Sequence, residues 1–274
     1  MLLENPKKMT TSQKFNPRWI SWFLLVSLFS TACWFLSQWQ FDRQAEVQIA
    51  NSIIDRNYYA EPVALEEVIT TSATWSPQFE FKQVVVSGKY LASEQYLIRN
   101  RPYEANPGFL HLVAFETDGG NFIWVERGWL PTGSLSDSPD EIPEIDQAHR
   151  QLVLRLRPSE AKLERTAPPG QLPSIDLPSA SNNLPRSETY NQTYGRLVLE
   201  NPEGPRGLEL PKPDLNEGNH LSYAFQWLLF ALMAFGAVFW TIAQERRRAA
   251  GKAPRKLAIL NRDRDAEAED ELLS

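Results

Sequence analysis

The 274-residue chain has one cysteine and three histidines. Cys33 lies inside an apolar run, so no intramolecular disulfide can form and thiol-based copper handling outside that run is excluded. Cys33 itself reads as a small packing residue. His111, His149 and His220 stand far apart, with no tight ligand spacing of the kind a structural zinc site needs. There is no Gly-x-Ser-x-Gly elbow, no Gly-rich phosphate loop and no cysteine nucleophile. Carboxylates are plentiful but scattered. This inventory argues against an enzyme. A net charge of -6 argues against a general nucleic-acid binder. There is no internal repeat.

What the chain does have is two long runs without charge, Trp19 to Leu36 and Tyr223 to Ile242. As helices, runs of this length cover roughly 27–30 Å, the thickness of a bilayer core. We read them as transmembrane helices over 19–38 and 223–243. A cleaved signal peptide is the rival for the first run, but the run is longer than a signal core and no small-x-small site follows it. Lys7, Lys8, Lys14 and Arg18 precede the first run, and Arg246, Arg247, Arg248, Lys252, Arg255 and Lys256 follow the second. Positive charge marks the cytoplasmic side, so both termini are expected inside a multi-pass protein and the middle of the chain outside. Trp19, Trp22, Trp39 and Trp240 sit near the span ends, as interfacial anchors do.

The expected organisation is a cytoplasmic lead (1–18), the first span, an extracytoplasmic domain (39–222), the second span and a charged cytoplasmic tail (244–274). Asp42 to Asn57 has roughly helical spacing and extends the first helix. Leu65 to Ile69 reads as a short helix. Strand patterns follow at Phe79–Tyr90, Gln95–Asn100, Gly108–Glu116, Phe122–Trp129, Gln151–Arg157 and Tyr194–Glu200. Asp118-Gly119-Gly120-Asn121 marks a hairpin turn. Thirteen of the twenty prolines fall between Pro131 and Pro213, and 158–186 reads as an extended Pro-rich loop. The fold class is therefore a membrane protein with two transmembrane α-helices bracketing a mainly β (β-rich α+β) extracytoplasmic domain.

His220, at the outer mouth of the second span, reads in two ways. It is an axial ligand to haem iron beside the aromatic entrance of Tyr223, Phe225 and Trp227, or an interfacial histidine capping the helix. Gln226 is a polar amide in an apolar span and needs a partner there; Ser27, Ser30 and Thr31 of the first helix are candidates, and contact with another protein is the alternative. Glu126-Arg127-Gly128-Trp129-Leu130-Pro131 reads as a strand corner, in which Gly128 permits a bulge or a close backbone approach. Arg127 stacks on Trp124 or Trp129, or pairs with a carboxylate.

Taken together, these residues resemble the surfeit locus assembly factors of cytochrome c oxidase, bacterial type. Val86-Ser87-Gly88-Lys89-Tyr90, followed by Arg99-Asn100-Arg101, resembles that family's first strand motif. Phe122 to Pro131 resembles its strand ending in Arg-Gly-Trp-hydrophobic-Pro, and His220 to Trp227 its second-span hallmark. The resemblance implies a non-enzymatic chaperone in respiratory-chain biogenesis, assisting delivery or insertion of haem a. His220 is the implied iron ligand, with Tyr223, Gln226 and Trp227 beside the cofactor. Gly88, Tyr90, Asn100, Arg101, Arg127, Gly128, Trp129 and Pro131 are the implied structural motif. Implied partners are oxidase subunits or other assembly factors, within the lipid bilayer of the plasma membrane. A scaffold that binds only protein is the alternative. The Pro-rich segment, the charged tail and Glu126 depart from the family pattern.

Overall fold

The computed structural model describes residues 17–135 and 137–249. The N-terminal lysines and most of the C-terminal tail lie outside them. Within them the chain forms two compact units, one of residues 17–45 with 218–249 and one of residues 46–217. The first unit holds two apolar helices, each long and apolar enough to cross a membrane. The second holds a five-stranded β-barrel.

The first helix, α1, runs unbroken from Pro17 to Tyr58. Pro17 suits a first turn, because its missing N–H has no helical partner there. The apolar run is only the first part, and the predicted extension through Asp42 to Asn57 is helical too. The last helix, α4, covers His220–Ala249. Within the first unit the two run antiparallel. Phe23 meets Phe235 at 6.3 Å between ring centroids, and Phe41 meets Phe225 at 5.7 Å, both edge to face. Within the first unit the buried residues of α1 are Val26, Cys33, Ser37 and Gln44, spaced by seven and four, and Ala224 of α4 is fully buried. That is the heptad spacing of a coiled-coil seam. Small side chains at the seam let the two helices approach closely. Bulky apolar side chains such as Leu28, Phe35 and Leu232 point outward.

In the second unit, β1 (Val63–Ala64) and α2 (Leu65–Val68) lead into the barrel strands β2 (Gln83–Ile98), β3 (Gly108–Thr117), β4 (Phe122–Pro131) and β5 (Arg150–Pro158). Then come the short β6 (Gln171–Leu172) and α3 (Leu177–Ala180), and the last barrel strand, β7 (Thr193–Asn201). The barrel order is β2-β3-β4-β7-β5, closed by a β5–β2 pairing. All its pairs are antiparallel except β4–β7.

The predicted strands Phe79–Tyr90 and Gln95–Asn100 are one strand, β2. A bulge between Leu91 and Gln95 absorbs the residues between them without breaking the strand. The region from Pro77 to Phe79 is a 3-10 turn instead. The Asp118–Asn121 hairpin forms as predicted, with the Thr117 amide donating to Asn121 O at 2.8 Å.

Closure depends on Gly88, which pairs with Thr117 of β3 and with Arg150 of β5. The first half of β2 serves β5 and the second half serves β3. A Cβ on Gly88 would stand 1.9 Å from Glu116 O, so only glycine permits the crossing.

Alternate residues of the barrel strands build two cores. Val84, Val86, Val113, Phe115, Val125, Leu154 and Leu197 draw on all five strands and fill the barrel. Leu110, Leu112, Ala114 and Trp124 face the other way, under Ile175, Leu177, Ala180 and Leu184. These last four belong to the segment predicted as a Pro-rich loop. It is ordered, and it roofs the outer face. Trp124 Nε1 donates to Ser181 Oγ in that roof at 2.9 Å. Two-sided burial explains the near-continuous apolar reading of β3 and β4.

The last turns of α1, from residue 46 on, belong to the second unit, and Tyr58 ends the helix there. Tyr58 O accepts from Gln83 Nε2 at 2.7 Å and Arg155 Nε at 3.3 Å. The Arg155 guanidinium also lies 3.8 Å from the Tyr58 ring centroid. A cation at a helix C-terminus opposes the negative end of the helix dipole.

Candidate functional site

His220 is the first residue of α4. Gly218, two residues earlier, has φ +70°, and a Cβ there would stand 3.5 Å from Nε2 and Cδ2 of the imidazole. The left-handed backbone at this glycine makes the turn into the helix, and a Cβ there would only touch the ring at ordinary contact distance. The Tyr223 amide donates to Asn219 O at 3.1 Å, closing the first turn. His220 Nδ1 lies 2.9 Å from Oε1 of Gln40 on α1. With a carbonyl oxygen as partner, Nδ1 carries the proton and Nε2 keeps its lone pair.

Residues 220, 223, 224 and 227 share one face of α4 at helical spacing. His220, Tyr223 and Trp227 are thus brought together, with Ala224 buried between them. Trp227 packs edge to face on Phe230 at 5.8 Å. Gln226 lies about 120° round the helix from His220. It is exposed, and among the described residues it makes no hydrogen bond. The partners expected for it do not bond to it. Thr31 Oγ1 donates to Ser27 O at 2.8 Å, and Ser30 Oγ is buried without a partner among the described residues. The amide that does reach across the pair is Gln40. Its signal in the sequence is its place seven residues after Cys33, on the buried spacing of α1.

The motif residues of the barrel form a second constellation. Arg127 is almost fully buried and donates through Nη2 to Pro205 O at 2.8 Å and to Glu200 Oε1 at 3.4 Å. Its guanidinium lies over the Tyr90 ring, 4.6 Å from the centroid. The Tyr90 hydroxyl donates to Glu200 Oε2 at 3.3 Å. Burial drives the Tyr90 phenol far above its usual range; Glu200 adds to that rise and Arg127 opposes it. Arg127 therefore pairs with a carboxylate, as one of the readings had it, and stacks on Tyr90 rather than on either tryptophan.

Gly128 has φ +109°, and a Cβ there would lie 2.6 Å from the Gly207 carbonyl. Both predicted uses of this glycine are realised, because a bulge between Leu110 and Leu112 also interrupts the β3–β4 register here. Trp129 Nε1 donates to Arg101 O at 2.6 Å, and Arg101 Nη1 donates to Glu160 at 2.9 Å. Asn100, two residues beyond the end of β2, takes φ +56°, a left-handed conformation that asparagine tolerates. Pro131 pairs with Gly108 at the last position of β4. Glu126, the departure from the family pattern, is buried and accepts from Arg196 Nε at 3.1 Å. Glu200 carries no local signal in the sequence; the pairing of β7 with β4 and β5 brings it here.

His111 is fully buried, with Nε2 3.0 Å from Gln95 Oε1. Burial, and then the charge of Arg127, lower its pKa to about 4. It is neutral at physiological pH. His149 is a surface residue whose Nε2 lies 2.8 Å from Asp118 Oδ1.

Residues 27–232 match the sequence model of the SURF1 family. The chain is also similar to uncharacterized SURF1-like proteins of Mycobacterium bovis and of two strains of Mycobacterium tuberculosis. Identity to each is 28% over 241 residues, covering 87% of this chain and 89% of the relative.

Proposed function

The chain belongs to the SURF1 family, and from that membership we propose that it is an assembly factor for cytochrome c oxidase that carries haem a toward the catalytic subunit. Haem is the cargo in this reading, not a resident catalyst. The protein sits in the plasma membrane with α1 and α4 as spans and both termini cytoplasmic. Its partners are oxidase subunits or other assembly factors.

The observation that carries the reading is the Gln40–His220 pair. A histidine that ligates a metal usually gives its other ring N–H to a carbonyl or carboxylate, which fixes the tautomer and raises ligand basicity. Gln40 Oε1 supplies that acceptor to Nδ1, so Nε2 is the ligating atom. Tyr223 and Trp227, on the same face of α4, offer aromatic surface to a flat apolar macrocycle. Gln226 points elsewhere and serves the partner surface.

The test is the visible spectrum of the protein purified from cells that make haem a, beside a His220→Ala variant. The expected result is a Soret band and an α-band in the wild type, shifted or lost in the variant. A band unchanged by the substitution removes His220 from the role. No band in either, with haem a supplied, overturns the cargo reading in favour of a protein-only scaffold.

A further inference from the structure

The helix α4 turns one seam toward α1. Ala224 is buried there, and Leu228, Ala231, Phe235, Val238 and Ile242 are half-buried, at alternating steps of four and three. Phe235 is the ring that meets Phe23. A second stripe with the same steps is exposed along its whole length: Ser222, Gln226, Leu229, Met233, Gly236 and Trp240. It is displaced from the first by two residues, about 200° round the helix. It therefore lies on the side of α4 away from α1.

Two residues distinguish this stripe from a surface left to acyl chains. Gln226 is a polar amide one turn inside the apolar run, and among the described residues it makes no hydrogen bond. Acyl chains offer it no partner either. Gly236 has open space where a Cβ would stand, with nothing within 4 Å. Even the side chain of Trp240, one turn on, leaves it uncovered. The bulky side chains Leu221, Phe225, Leu232 and Phe239 are also exposed, but they share a different stripe. That stripe has the content of a lipid-facing surface, whereas the amide and the glycine stand together on this one.

Gln226 indicates what covers it. Two copies inserted in the same orientation are related by a two-fold axis along the membrane normal, so their α4 helices run parallel. Each residue of the stripe then faces its own counterpart. An amide both donates and accepts, so two Gln226 side chains at one depth close a reciprocal pair of hydrogen bonds. The missing partner thus comes with the second copy itself. Helical side chains lean toward the N-terminus, which carries Trp240 of one copy over the open Gly236 of the other. Steps of four and three keep such a pair in register along its length, and a glycine at the seam lets the backbones approach.

We propose that the protein forms a parallel two-fold dimer in the membrane, with α4 against α4 along the stripe from Ser222 to Trp240. The inference is independent of haem binding at His220 and rests on α4 spanning the membrane in one orientation.

Cysteine crosslinking of the full-length protein in membranes tests it, in a Cys33→Ala background. Leu229→Cys and Met233→Cys should give disulfide-linked dimers at least fivefold more efficiently than Phe225→Cys and Leu232→Cys. Energy transfer between donor- and acceptor-labelled copies in phosphatidylcholine vesicles then measures the affinity. Gln226→Leu should weaken association about 3–20-fold. Gly236→Leu, which fills the notch, should weaken it at least tenfold, and Leu232→Ala should leave it within about twofold. Equal crosslinking on the two stripes, no transfer at any protein-to-lipid ratio, or transfer unchanged by Gln226→Leu or by Gly236→Leu would overturn the proposal. Crosslinking of the 229 and 233 cysteines to an oxidase subunit alone would also overturn it, and would assign the face to that partner.

Discussion

Arg127 and Glu200 are fixed on strands β4 and β7, 73 residues apart in sequence, and meet at 3.4 Å with both side chains almost wholly buried. The Tyr90 ring lies against the same guanidinium. Removing one partner of such a pair leaves an uncompensated buried charge, at a cost of about 3–5 kcal/mol. Arg127→Met should destabilise the barrel by that amount in thermal unfolding. Arg127→Met with Glu200→Gln should recover more than half of the loss. A double variant no better than the single would mean that the pair is not the source of the cost.

Neutral His111 sets a pH dependence. Its folded pKa of about 4 lies below the ordinary 6.5, so the unfolded chain binds the proton first. The histidine's contribution is complete above pH 6.5 and is lost as pH falls from 6.5 toward 4. Its full size is roughly 3 kcal/mol. Denaturant midpoints measured across that window should fall with decreasing pH, and the fall should shrink in His111→Asn.

Gly128→Ala meets two penalties, a left-handed backbone and a clash with the Gly207 carbonyl. Together these amount to about 2–4 kcal/mol. Gly120→Ala is a control, with φ +76° but open space around its Cβ, and should cost about 1–2 kcal/mol. Equal losses in the two variants would show that the Gly207 contact carries no weight.

The roof over β3 and β4 can be opened at Leu177. Leu177→Ala removes a fully buried side chain, which costs about 2–5 kcal/mol. Limited proteolysis should then cut within residues 159–190 before it cuts the barrel. A cleavage pattern like that of the wild type would argue that the segment does not depend on this anchor.

Gln40→Leu leaves His220 without its Nδ1 acceptor. In the cargo reading this should weaken haem binding by about 10–100-fold, measured by titration, while the helix pair remains folded. Gln226→Leu should leave haem affinity within about twofold. The reverse order of effects would shift the site to the other side of α4.

Much of this architecture was legible in the sequence, and the reasons divide by range. The two apolar helices announce themselves because absence of charge over five turns is a local signal. The β3–β4 hairpin is legible because apolar strands flank Asp118-Gly119-Gly120-Asn121. The unity of β2 was hidden, because Ala92, Ser93 and Glu94 read as a break and the bulge that absorbs them is a property of the pairing with β3. The roof was hidden because proline excludes regular strands but not burial, and Ile175, Leu177 and Leu184 are too sparse to show a period. His220, Tyr223 and Trp227 could be placed on one face by counting along one helix. Gln40 required the partner helix, and Glu200 required a strand that arrives more than seventy residues after Arg127.

The closure of the barrel also governs the order in which this chain can fold. Gln83 to Gly88 wait for Arg150 to Arg155, and Val125 and Glu126 wait for Gly195 and Arg196. Until β7 is made, β4 and β5 each keep an unpaired edge that could recruit another strand. Contacts this distant in sequence carry loop-closure costs that slow folding. The barrel is therefore finished only when nearly all of the chain before α4 is in place, and a chain stopped short of Thr193 would hold an open sheet of four strands, β5-β2-β3-β4, rather than a smaller barrel.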